Sequence, residues 1–222
     1  MRIFLDTANI ELISKYNDMG LVDGITTNPS LLAREGGDPA AAMSKIASIV
    51  RHGDVSLEVV ATTYEGMLHE GRRLREYGSN VVVKVPMTPD GLRACRQLTA
   101  EGIPVNVTLV FSTNQALLAA KSGARYVSPF IGRIDDTGYD GIKLIRDMVE
   151  IFSNYEFGTQ ILVASVRNPV HVKDAAILGA DVVTLPPAVL EKMISHPLTR
   201  SGLDNFLADW EALKGRHPDA RI

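Results

Sequence analysis

The chain has 222 residues, 45% hydrophobic and 22% charged, the proportions of an ordinary water-soluble globular protein with one sizeable core. A formal net charge of −3 gives no whole-molecule case for nucleic acid or an anionic membrane surface, and no apolar run is long enough to span a bilayer. The single cysteine, Cys95, excludes an internal disulfide and fits a reducing compartment. An acid arrives at Asp6, too soon for a signal peptide, so a cytoplasmic protein is expected.

Ile3-Phe4-Leu5 reads as a short strand closed by Asp6-Thr7, and Asn9 caps a helix that runs to about Met19 and stops at Gly20. Val22 to Thr26 gives a second strand, followed by Thr27-Asn28-Pro29-Ser30. After a short helical turn and Gly36-Gly37, Asp38-Pro39 opens a helix ending near Val50. The third strand is Ser56 to Val60, and Thr62 with Glu65 forms a capping box for a helix to Tyr77. Val81 to Val85 then makes a strand buried on both faces, ended by Pro86, and Thr88-Pro89-Asp90 starts a helix to Ala100.

Strand five is Pro104 to Thr108, and Ser112 with Gln115 is a second capping box. Arg125 to Ser128 is strand six, followed by a helix with an apolar stripe at Ile142, Ile145, Val149 and Phe152. Ile161 to Ser165 is strand seven, with a helix from about Pro169 to Leu178. Asp181 to Leu185 is strand eight, and Pro186-Pro187 leads into a helix ending near Ser195. Eight strand–helix units in strict alternation, without a linker, predict an α/β fold: a single (β/α)8 TIM barrel over 1–198. A doubly wound open sheet is the rival, but no glycine-rich fingerprint follows the first strand. Beyond the barrel, 199–222 adds an extra C-terminal helix and tail, with Leu203, Phe206, Leu207, Trp210 and Leu213 on one face. That face either covers its own barrel or packs on a neighbouring subunit.

In such a barrel the chemistry sits at the C-terminal ends of the strands. Those ends carry Asp6; Thr26 and Asn28; Glu58; Lys84; Asn106 and Thr108; Ser128; and Ser165 with Arg167, while Arg133 follows strand six. Lys84 stands in an apolar strand with no acidic neighbour in sequence. A buried ammonium loses its hydration and gives up its proton more readily, which turns a lysine into an amine nucleophile toward carbonyls. The plainer alternative is a stem packed in the strand with its amine reaching solvent or a distant carboxylate. Each of the others also has a dull explanation as a cap, turn or backbone partner. Converging on one mouth, they are the inventory for Schiff-base carbon chemistry on a phosphorylated sugar.

Asp6-Thr7-Ala8-Asn9, Thr26-Thr27-Asn28-Pro29-Ser30, Val82-Val83-Lys84-Val85-Pro86 and Ser128-Pro129-Phe130-Ile131-Gly132-Arg133-Ile134-Asp135 resemble, in the same order, the signatures of the transaldolase family. The chain is similar to its small subfamily, which includes fructose-6-phosphate aldolase. The resemblance implies that Lys84 forms an imine with the donor ketone and that Asp6 is the acid/base for carbon–carbon cleavage. It implies that Glu58 and Thr108 hold and activate a water, and that Asn28 and Asn106 bind substrate hydroxyls with Thr26 and Ser165 nearby. Arg133, Arg167 and Ser128 would grip the phosphate. Aldolases of the subfamily usually carry glutamine at position 58 and tyrosine at 130, so Glu58 and Phe130 place this chain on the transfer side. The expected partners are sugar phosphates and further copies of the chain, as pentameric rings or pairs of rings, with helix 199–214 reaching over a neighbour. No cofactor is expected, and His52, His69, His171, His196 and His217 show no metal-ligand spacing. The alternatives are an aldolase that releases free dihydroxyacetone and a sugar-phosphate-binding barrel without turnover.

Overall fold

Eight parallel strands close on themselves in sequence order in the computed structural model, which describes residues 1–218 and Arg221. Residues 219, 220 and 222 of the tail expected over 199–222 lie outside the described residues. The strands are β1 (Arg2–Asp6), β2 (Gly24–Thr26), β3 (Asp54–Glu58), β4 (Val81–Pro86), β5 (Val105–Val110), β6 (Tyr126–Pro129), β7 (Gln160–Val163) and β8 (Val182–Leu185). The helices in the first half are α1 (Ile10–Asp18), α2 (Pro29–Glu35), α3 (Pro39–Ile49), α4 (Tyr64–Arg75) and α5 (Pro89–Ala100). Those in the second half are α6 (Thr113–Lys121), α7 (Ile131–Asp135), α8 (Gly141–Asn154), α9 (Pro169–Leu178), α10 (Pro187–Ile194) and α11 (Pro197–Arg216). The expected (β/α)8 barrel with an added C-terminal helix is the fold.

Local chemistry sets the helix starts. Asn9, Thr88 and Ser112 each accept a hydrogen bond from the backbone N–H three residues on, and Gln115 reaches back past its cap to accept from the Phe111 N–H at 2.8 Å. The box expected from Thr62 and Glu65 does not form; the cap is Thr63, one residue later, which accepts from the Gly66 N–H, and glycine has no side chain to return the bond. β3 also sits two residues earlier than expected. The Val60 and Ala61 N–H groups donate to the Glu70 carboxylate at 2.6 and 2.9 Å, which draws the chain off the sheet after Glu58. On α8 the buried face runs through Leu144, Ile145, Met148 and Phe152, and Ile142 and Val149 pack half-buried at its edge.

Strand residues alternate between two environments. The outward set, such as Leu5, Ile25, Leu57, Val83, Val107, Val127, Val163 and Val183, packs under the helices as the main core. The inward set contributes a much smaller apolar plug of Phe4, Val82, Tyr126, Leu162, Ala164 and Val182. Above this plug the barrel interior is polar, with Thr26, Ser56, Lys84, Asn106, Thr108, Ser128 and Thr184 buried there. α11 buries none of its residues, and Phe206 is 73% exposed. Its apolar row is therefore left uncovered by its own barrel.

Candidate active site

One inward residue from each strand or its immediate end forms a ring at the C-terminal mouth: Asp6, Thr26, Glu58, Lys84, Thr108, Ser128, Ala164 and Thr184. The ring floors a cavity of about 540 Å³, the size of a small-molecule site. Its walls come from the loops and helices beyond the strands and include Asn28, Ser30, Arg34, Leu109, Phe130, Arg133, Ser165 and Arg167. Of the twelve residues expected to form the site, the cavity brings together all but Asn106.

Strand register supplies what the local sequence lacked. β3 and β4 place Glu58 beside Lys84, and the Lys84 ammonium lies 3.0 Å from the Glu58 carboxylate, although no acid is near Lys84 in the chain. The amine also donates to the Thr27 carbonyl at 2.8 Å. The Lys84 side chain is only 6% exposed, at the cavity wall. Of the plainer alternative, the solvent-reaching form does not describe this lysine, while the form in which the amine reaches a carboxylate distant in sequence does, with Glu58 as that carboxylate.

Around it, Thr26 donates to Asp6 Oδ1 at 2.7 Å, and Thr26 and Thr184 share a hydrogen bond at 2.6 Å. Asn106 is fully buried and lies in register with Lys84. Its amide donates to Ser56 at 3.2 Å and accepts from Ser128 at 2.7 Å, which makes it a brace beneath Ser128. Thr108 Oγ1 is buried without a hydrogen-bond partner among the described residues. Asn28 caps α2 through its side-chain oxygen, accepting from the Leu31 N–H at 3.0 Å, so its NH₂ end remains for the cavity.

The far wall is backbone held in unusual conformations. Ser165 and Leu109 have φ of 61° and 60°, left-handed geometry that costs a non-glycine residue on the order of 1–3 kcal/mol. A Cβ at Gly132 would overlap the Ser165 carbonyl, so only glycine lets α7 approach this close. Arg133 stacks on Phe130, its guanidinium carbon 4.9 Å from the ring centroid, and has no carboxylate partner among the described residues. Arg167 pairs with Asp136 at 2.9 Å, but both are more than half exposed and the pair holds the arginine only weakly. Asp135 accepts from the Gly141 N–H at 2.8 Å and faces His171 Nε2 at 3.1 Å, tying the α7 segment to α8 and α9.

The sequence reading missed Thr184, Ser30 and Arg34. Thr184 was legible, because it is the only polar residue of β8 and stands at the same inward position as the other ring members. Arg34 lies on α2, four residues after Ser30, where reading strand ends alone could not find it. Among the described residues, no group of three His, Cys, Asp or Glu side chains is placed to hold a metal.

A sequence model of the family described as Transaldolase/Fructose-6-phosphate aldolase matches residues 3–217. A probable transaldolase of Nitrosopumilus maritimus is 68% identical over 223 residues, spanning all of both chains. A probable transaldolase of Thermodesulfovibrio yellowstonii is 54% identical over 96% of this chain and 100% of that protein. Among solved structures, 3-hexulose-6-phosphate synthase from Salmonella typhimurium superposes with a TM-score of 0.65 at 22% identity, covering 86% of this chain and 91% of that one. Dihydrodipicolinate synthase from Rhodopseudomonas palustris gives 0.59 at 14% identity, over 96% and 79%. At these identities the structural matches speak for the barrel alone.

Proposed function

The chain belongs to the transaldolase/fructose-6-phosphate aldolase family, and we propose that it moves a dihydroxyacetone unit from a ketose phosphate, such as fructose 6-phosphate or sedoheptulose 7-phosphate, to an aldose phosphate. The observation that carries this reading is Lys84, buried at the cavity wall against Glu58 and flanked across the ring by Asp6. Lys84 attacks the ketone at C2, and loss of water leaves a protonated imine. Glu58, 3.0 Å from the amine, takes and returns the protons of that step, with Thr108 orienting the water.

Cleavage then breaks the C3–C4 bond. The C4 hydroxyl proton passes to Asp6, the C4–O pair closes to an aldehyde, and the C3–C4 electrons flow through C2 onto the imine nitrogen. The enamine attacks the acceptor aldehyde, Asp6 returns its proton to the new hydroxyl, and water releases the product ketose. Arg133, without a carboxylate partner among the described residues, takes the phosphate together with Ser128 and Arg167, which releases the exposed Asp136 to do so. The phenyl ring of Phe130 offers no hydroxyl to position a water against the enamine, so the three-carbon fragment waits for an aldehyde. The uncovered row on α11 suits packing against a second copy in a homo-oligomer of cytoplasmic enzyme.

The deciding measurement is glyceraldehyde 3-phosphate release from fructose 6-phosphate with and without erythrose 4-phosphate. Acceptor-dependent release is expected. Sustained release without acceptor would make the chain an aldolase, and no release from folded protein would leave a sugar-phosphate-binding barrel. Phe130→Tyr should raise the acceptor-independent rate, and no increase would count against the role given to the ring.

A further inference from the structure

Thr26 and Thr184 are buried, at 2% and 3% exposure, yet both edge the cavity. Thr26 Oγ1 lies 2.7 Å from Asp6 Oδ1 and 2.6 Å from Thr184 Oγ1. A hydroxyl has one proton to give, and an ionised carboxylate can only accept. The Thr26 hydroxyl therefore directs its proton at Asp6, and the Thr184 hydroxyl must direct its own at Thr26. The three side chains form a directed chain, Thr184 to Thr26 to Asp6, carried by β8, β2 and β1. Each donor in such a chain polarises the next and strengthens it. Among the described residues no hydrogen bond reaches Asp6 Oδ2.

We propose that Thr184 is a positioning residue for carbon–carbon bond cleavage: through Thr26 it fixes a donor on Asp6 Oδ1 and leaves Oδ2 as the oxygen that takes the substrate hydroxyl proton. The inference rests on the reading of Asp6 given above. Thr184 is remote from imine chemistry in this scheme, because Lys84 and Glu58 are paired with each other and with Thr27 rather than with this chain. Its loss should slow one step and spare the other.

The test is rapid mixing with fructose 6-phosphate, a borohydride quench, and the mass of the reduced adduct. A six-carbon phosphorylated adduct reports imine before cleavage, and a three-carbon adduct reports imine after it. Thr184→Val keeps the shape and removes the hydroxyl. It should form total adduct at a rate within about twofold of wild type, cleave roughly tenfold more slowly, and shift the adduct toward the six-carbon mass. Thr184→Ser should restore cleavage to within about threefold. Equal slowing of both steps, an unchanged adduct ratio, or failure of serine to restore would overturn the inference. Asp6→Asn is the control: if it accumulates the six-carbon adduct while Thr184→Val does not, the role of Thr184 alone is wrong. If Asp6→Asn cleaves normally, the reading of Asp6 fails and takes the chain with it.

Discussion

The two mouths of the barrel carry similar side chains to opposite ends. At the N-terminal mouth the polar groups are hydrogen-bonded to one another: Arg125 donates to Asp54 at 2.7 Å, the Tyr126 hydroxyl donates to the same carboxylate, and Arg2 donates to the neutral amide of Gln160. Arg2 also lies over the Phe4 and Tyr126 rings at 5.7 and 5.5 Å. Asp23 and Asp181 accept from the Ile3 and Ile161 N–H groups, fastening the starts of β1 and β7. At the C-terminal mouth, among the described residues, Thr108 has no partner and Arg133 no counter-ion, and Ser165 and Leu109 hold left-handed backbone. Matched polar groups stabilise a fold, while unmatched ones wait for a ligand at a cost in stability. The difference assigns stability to one end and chemistry to the other.

The assignment can be broken at either end. Lys84→Ala should lower kcat/KM by about 10⁴-fold or more and abolish borohydride trapping in a protein that still folds. An adduct persisting in this variant would remove Lys84 from the mechanism. Asp54→Ala should do the reverse. It strands the buried Tyr126 hydroxyl and a half-exposed Arg125, which costs about 2 kcal/mol, or roughly 4–8 °C in Tm. Its activity at 25 °C should stay within about twofold of wild type. A folded Asp54→Ala enzyme without activity would end the division of labour.

The order of elements and most helix starts were legible because their causes are local. Asn9, Asp38, Thr88, Ser112 and Asn168 each cap the helix that follows, and proline stands first in three of those five. The adjacent Thr62 and Thr63 offered equivalent hydroxyls, and choosing between them needed the backbone. β3 was misplaced because the apolar run continues through Val59 and Val60, while a helix residue, Glu70, decides where the strand ends. In the site, reading strand ends found the inward ring because alternation fixes which side chains share a face. Contacts across strands were not legible. Glu58 meets Lys84 through register, Asn106 is hydrogen-bonded to Ser56 and Ser128, and both facts depend on pairing between distant segments.

Two smaller effects sharpen the contrast. Thr108→Val replaces a buried, unpartnered hydroxyl with a methyl of the same shape, so it should raise stability by about 1 kcal/mol while lowering kcat roughly 10- to 100-fold. Urea titration and steady-state rates on the same preparation check both signs, and a variant that is both less stable and fully active would contradict the division. At the other mouth, burial first, and then the hydrogen bond to Asp54, pushes the Tyr126 phenol above its ordinary value. The folded chain therefore holds this proton more tightly than the unfolded chain, whose phenol titrates near 10. The contribution is whole below about pH 10 and is lost as pH rises through the folded value. Tyr126→Phe should accordingly cost about 1 kcal/mol at pH 8, and its deficit against wild type should shrink above pH 10, since the variant has no proton to lose there. Equilibrium urea unfolding of both proteins at pH 8 and at pH 10.5 reads the difference; a gap that widens with pH would mean the phenol is held as an anion at this mouth, and that the matched network is not what stabilises it.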